Sequence, residues 1–209
     1  YSIAIFAAIC IAYSGNLLTL FIFYEVLTFS TYPLVAHKQN EEAKKAGRLY
    51  MGILVGTSIV FLLPAIIIVW VLTGSLDFST NGILKGNISN EYVPFLLALF
   101  AFGIGKAALM PFHKWLPAAM VAPTPVSALL HAVAVVKAGV FSMLVVITYV
   151  FGIDFLTETN GAVWLIWISS ITLLLSSCIA ITKDDLKARL AYSTICLLYT
   201  SDAADERNS

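Results

Sequence analysis

Two stretches without a charged residue, Leu49 to Ser75 and Ala162 to Thr182, each exceed the roughly 20 residues a helix needs to cross a bilayer. In hydrocarbon every backbone N–H and C=O must be paired inside the protein. The apolar residues run on rather than alternate, so helices and not a barrel are required. Hydrophobic residues make up 60% of the chain and charged residues 11%, against about a quarter charged in soluble domains. The expected fold class is therefore all-α, a polytopic transmembrane helical bundle. With no net charge and no basic patch, nothing points to nucleic acid.

The runs resolve into about six helices: Tyr1 to Tyr13, Leu17 to Ala36, Gly47 to Thr73, Val93 to Phe112, Val126 to Phe151 and Ala162 to Thr182. Their connections alternate in basic content. "HKQNEEAKKAGR" carries Lys38, Lys44, Lys45 and Arg48, whereas "GSLDFSTNGILKGNISNE" carries only Lys85. The next connection holds Lys114, "GIDFLTETNG" holds no basic residue, and "KDDLKAR" holds Lys183, Lys187 and Arg189. The basic connections are expected on the cytoplasmic side. The first residue is Tyr1, with no signal-peptide pattern, so the chain is expected to be a fragment entered in mid-helix.

Nearly all charges lie in connections or in the tail, but Glu25, Lys106 and Lys137 do not. At a rise of about 1.5 Å per residue, Glu25 lies roughly 12 Å, Lys106 roughly 20 Å and Lys137 roughly 17 Å from one end of its helix. A charge near mid-membrane costs about 2.5–3.5 kcal/mol on insertion scales, so such groups face the bundle interior, pair, or line a hydrated path. Loss of water favours a neutral side chain and an ion pair favours a charged one. A lysine held between these influences can exchange a proton when its partner moves, which is the physical basis of a relay. A static ion pair would account for two of the charges and leave the third costly.

His131 lies six residues before Lys137, about 9 Å along the axis and roughly 120° around it, and can border the same cavity. Pro111, about a turn after Lys106, is expected to break the fourth helix beside that lysine, an arrangement that builds ion sites in membranes. His113 and Lys114 are expected to be interfacial, beside Trp115. His37 is a loop residue. Thr28, Ser30, Thr31, Ser127, Ser169 and Ser176 can bridge helices or hold water. Cys10 and Cys178 read as small core residues with no metal or disulfide spacing. No metal and no cofactor is expected.

Three separated motifs, "FIFYEVLTFSTYPL", "GKAALMPFHKWLPAAMVAPTPVSALLHAVAVVKAG" and "KDDLKARLAYST", together resemble the antiporter-like membrane subunits of Mrp Na⁺/H⁺ antiporters, complex I and related hydrogenases. The wording "LLHAVAVVKAG" looks closest to the D-like branch of the Mrp antiporter proteins. The resemblance covers about Tyr1 to Ile195. It implies inverted five-helix repeats, each with a discontinuous helix: residues 1–151 as the first, 152–195 as the start of the second. It also implies that Glu25 pairs with Lys106, with Lys137 following and His131 matching a histidine of several branches.

The function so implied is monovalent cation (Na⁺)/H⁺ antiport through a Glu25, Lys106, Lys137 relay. The alternatives are a proton-pumping membrane subunit of an NADH:quinone oxidoreductase or hydrogenase without redox centres of its own, and a non-transporting scaffold. The implied partners are other membrane subunits of an antiporter or respiratory complex, protons, Na⁺ and the lipid bilayer. The implied location is a prokaryotic plasma membrane. Residues 196–209, "CLLYTSDAADERNS", resemble a translated sequencing adapter and are expected to be non-native, Cys196 included.

Overall fold

The computed structural model describes residues 2–195, except 38–39, 81, 110–111, 120–121, 123–125, 127–134, 160, 183 and 185. Among the described residues the chain is a helical bundle with no strand. Helix α1 (Ser2–Ala12) packs along α2 (Leu17–Val35), and α2 along α3 (Glu41–Thr57). Asn16 caps α2, its side-chain oxygen accepting the Thr19 N–H at 2.7 Å. The buried residues of α2 recur at helical spacing: Leu17, Leu20, Tyr24, Leu27, Thr28, Thr31 and Val35.

Helix α3 continues without a break through a π turn (Ser58–Leu62) into α4 (Leu63–Thr73). In that turn the Leu63 N–H reaches the Ser58 carbonyl, five residues back. Pro64 follows directly and cannot donate, so the wider turn falls where a regular α-helical bond would be lost. Gly74, at φ 70°, closes α4 in the left-handed conformation that glycine adopts without strain. Residues 43–73 form one of three described helices long and apolar enough to cross a membrane, with Leu17–Val35 and Val163–Thr182.

The fourth helix is shorter than its apolar run suggests. Helix α5 (Val93–Gly103) ends at Gly103; a one-turn 3-10 helix (Gly105–Ala107) follows, then Ala108 at φ 55°, and a second 3-10 turn (Phe112–Lys114) leads into α6 (Trp115–Ala119). The expected helix to Phe112 is thus replaced by a break centred on Lys106. The break coincides with close approach. A Cβ on Gly103 would fall 2.6 Å from the Leu62 backbone nitrogen, and one on Gly105 would collide with the Thr57 hydroxyl. Pro111, expected to make the break, lies outside the described residues.

Helix α7 (Val135–Val145) runs into a second π turn (Val146–Phe151), and the chain then bends by 77° at Gly152 into a short α8 (Ile153–Thr159), where a loop is expected from the sequence. Helix α9 (Val163–Thr182) presents only Thr172 and Ser176 to the interior. Cys178 is exposed and Cys10 partly so, not the core positions expected of them.

The connections meet as the charge alternation requires. Leu17 N–H bonds Leu76 C=O at 2.9 Å and Phe78 N–H bonds Gly15 C=O at 3.2 Å, so the first and third connections share one end of the bundle. Ile83 and Leu84 donate to Tyr149 and Val150 at 3.1 and 3.0 Å, which brings the second π turn, after α7, to the same place. These are the basic-poor connections.

Candidate functional site at the helix break

Breaking a helix inside an apolar bundle frees N–H and C=O groups that water does not reach, each needing a new partner. Two aromatic residues supply them. The Lys106 N–H donates to the Tyr24 hydroxyl at 3.2 Å, and the Trp115 indole N–H donates to the Gly105 carbonyl at 2.9 Å. Tyr24 and Trp115 are both fully buried. Trp115 reads as an interfacial anchor in the sequence; its N–H is instead spent on the broken backbone. Tyr50 packs edge-on against it, ring centroids 5.7 Å apart, and shares a 2.6 Å hydrogen bond with Thr31.

Removing that indole donor takes away a buried hydrogen bond, worth about 0.5–1.5 kcal/mol, and leaves the Gly105 carbonyl with the Ala108 N–H, at 3.1 Å, as its donor. Trp115→Phe is therefore expected to lower the unfolding temperature in detergent. An unchanged transition would mean that the bond does not support the break.

Lys106 is 0% exposed. Its ammonium donates to the Tyr24 carbonyl at 2.6 Å and stands 3.1 Å from the centre of the Tyr24 ring, a cation–π contact. The Tyr24 carbonyl also accepts from Thr28 at 3.1 Å. From the other side α7 closes in: a Cβ on Gly139 would lie 2.6 Å from the Lys106 carbonyl carbon and 2.7 Å from the Ala107 nitrogen. Only a glycine admits this contact.

The expected Glu25–Lys106 ion pair is not seen in this structure: the Lys106 ammonium donates to the Tyr24 carbonyl, and the Glu25 Oε1 has no hydrogen-bond partner. The reason is rotational. Tyr24 and Glu25 are neighbours on α2 and so point about 100° apart, and the buried stripe runs through Tyr24. Glu25 is half-buried, and its Oε1 is enclosed without a hydrogen-bond partner. Lys137, on α7, is exposed on this chain rather than turned into its interior. His131 lies outside the described residues, so its placement beside Lys137 is not described. Among the other polar residues, Thr28, Ser30, Thr31 and Ser176 bond carbonyls of their own helices.

Tyr24, Trp115 and Gly139 do not stand out in the sequence as site residues, although each lies inside one of the three motifs. Glycines at 103, 105 and 139 within apolar runs, where helix propensity disfavours them, are the available signal for close backbone approach.

A lysine buried at a discontinuous helix, inside a bundle with apolar spans, defines a multi-pass membrane protein with an intramembrane ionisable site. Residues 14–198 match the family described as NADH:quinone oxidoreductase/Mrp antiporter, transmembrane, and the chain belongs to that family. It is 33% identical over 196 residues to the putative antiporter subunit mnhA2 of Staphylococcus epidermidis, covering 92% of this chain and 24% of the relative. The putative mnhA2 subunit of Staphylococcus haemolyticus is 31% identical with the same coverage. The chain thus spans about a quarter of the length of these relatives, which carry an A2 name where the wording of the sequence points to a D-like branch.

Among solved structures, the Mrp complex of Dietzia sp. DQ12-45-1b superposes with a TM-score of 0.79 at 29% identity, over 95% of this chain and 21% of that one. A membrane-bound sulfane sulfur reductase, an archaeal respiratory membrane complex, gives 0.78 at 29% identity, over 94% and 40%. Respiratory complex I from Thermus thermophilus shares the fold, with a TM-score of 0.76 at 24% identity, over 94% and 42%.

Proposed function

We propose that the chain forms the first antiporter-like repeat, residues 1–151, and the start of a second, 152–195, of a proton-conducting subunit that exchanges a monovalent cation, Na⁺, for protons. Glu25, Lys106, Lys137 and His131 form its pathway, with the helix discontinuous near Pro111. The observation that carries this reading is Lys106: a fully buried lysine at a helix break, packed directly on the helix that bears Lys137. Separating Lys106 from Glu25 leaves the carboxylate oxygen free to take the ammonium later, so the pair can form and release in turn. An exposed lysine on an apolar helix calls for cover from neighbouring membrane subunits or further helices. The implied setting is a prokaryotic plasma membrane.

In the full-length protein, Glu25→Ala or Lys137→Ala is expected to abolish cation-dependent proton flux in everted vesicles while leaving assembly intact. Wild-type flux in either variant would sink the reading.

A second reading, the membrane arm of a respiratory enzyme, is favoured by the comparable match to the archaeal respiratory complex. Redox-driven proton release without cation exchange would select it.

A further inference from the structure

Transport by this route needs Lys106 to leave one partner for another, and the first partner is Tyr24. That residue surrounds the lysine at both ends. Its hydroxyl accepts the Lys106 backbone N–H, its ring lies under the ammonium at 3.1 Å, and its carbonyl accepts from the same ammonium at 2.6 Å. The carbonyl remains whatever residue stands at 24; the ring and the hydroxyl do not. The nearest carboxylate along α2, that of Glu25, has an enclosed and unpartnered oxygen.

We propose that Tyr24 is the positioning residue for Lys106: its ring forms a seat that holds the ammonium off Glu25, and the Glu25–Lys106 pair forms only when the ammonium leaves that seat. This rests on the transport reading for its consequence, but not for the existence of the seat. A π face attracts a cation without hydrogen-bonding it as a carboxylate does, so it stabilises the ammonium without fixing it. An aliphatic residue at the same position would leave the backbone carbonyl as the one contact from residue 24 competing with Glu25.

The seat has a spectroscopic signature, because protons above an aromatic ring are shifted upfield. The full-length protein in nanodiscs, labelled with carbon-13 at the lysine ε position, is expected to show one upfield-shifted ε-proton signal, identified by its loss in Lys106→Arg. Tyr24→Phe keeps the ring and should keep that signal shifted; Tyr24→Leu should return it to the range of the other lysines. The seat is overturned by a signal that stays in place in Tyr24→Leu, and equally by one that Tyr24→Phe moves as far as Tyr24→Leu does.

Flux in vesicles supplies the second arm. Tyr24→Leu is expected to transport more slowly than Tyr24→Phe; equal rates would overturn the positioning role. If Glu25→Ala leaves flux unchanged while the ring-shifted signal persists, the transport reading fails and the seat stands as structure alone.

Discussion

Gly139→Val should prevent α7 from docking against the helix break, and the variant is expected to accumulate poorly in membranes and to unfold well below the wild-type temperature. The contact leaves no room for adjustment. A Cβ at this position falls 2.6 to 2.8 Å from the Lys106 carbonyl carbon, the Ala107 nitrogen and the Lys106 Cβ, mostly backbone atoms that cannot rotate away. Those atoms are in turn fixed by Tyr24 and Trp115 through the hydrogen bonds that satisfy the break. Overpacking in a close-packed interior costs typically about 1–3 kcal/mol for small additions, which sets the expectation for Gly139→Ala, and valine should exceed it. Thermal unfolding of purified protein measures both. A wild-type transition for Gly139→Val would mean that α7 does not approach the break this closely.

Lys106→Met is expected to have the opposite profile: a folded and assembled protein that conducts no protons. Replacing buried ionic groups by apolar residues of similar volume is often neutral or stabilising, because the ammonium no longer has to be stripped of water. The neighbours tolerate the loss. The Tyr24 carbonyl keeps the Thr28 hydroxyl as a donor, and the Tyr24 hydroxyl keeps the Lys106 backbone N–H. Unfolding temperature and cation-dependent proton flux, measured on the same preparation, separate the two roles. A protein that unfolds early would assign Lys106 to structure, and one that still conducts would remove it from the pathway. This pairing also decides against a non-transporting scaffold, for which loss of a buried cation should change no flux at all.

The helices and their alternation are legible because they follow from quantities summed over many residues: uncharged length and the basic content of each connection. Local exceptions are less legible. Pro111 is the conspicuous breaker, yet α5 stops eight residues earlier, where Gly103 and Gly105 let Leu62 and Thr57 approach. Spacing identifies Lys106 as the anomalous charge. It does not reveal the partner, because Tyr24 and Glu25 are adjacent in sequence and about 100° apart around the helix, and which faces inward depends on the phase of the whole buried stripe. Trp115 reads as an interfacial anchor by composition, but a broken helix needs a donor in its interior, and the indole fills that need.

The π turn in the third span has a consequence for insertions and deletions. With the extra residue in place, the buried stripe of Tyr50, Leu54, Thr57 and Ser58 passes to Leu62, Ile66 and Val69. Leu62 lies four residues after Ser58, so both halves of the span present one continuous buried stripe. Phe61 packs against Phe102 and Phe112, on either side of the break, at centroid distances of 6.5 and 5.9 Å. Losing a single residue between 58 and 62 would therefore close the wide turn into a regular one and keep the phase of both halves, whereas the same loss elsewhere in the span would rotate everything beyond it by about 100° and carry Phe61 or its neighbours off the break.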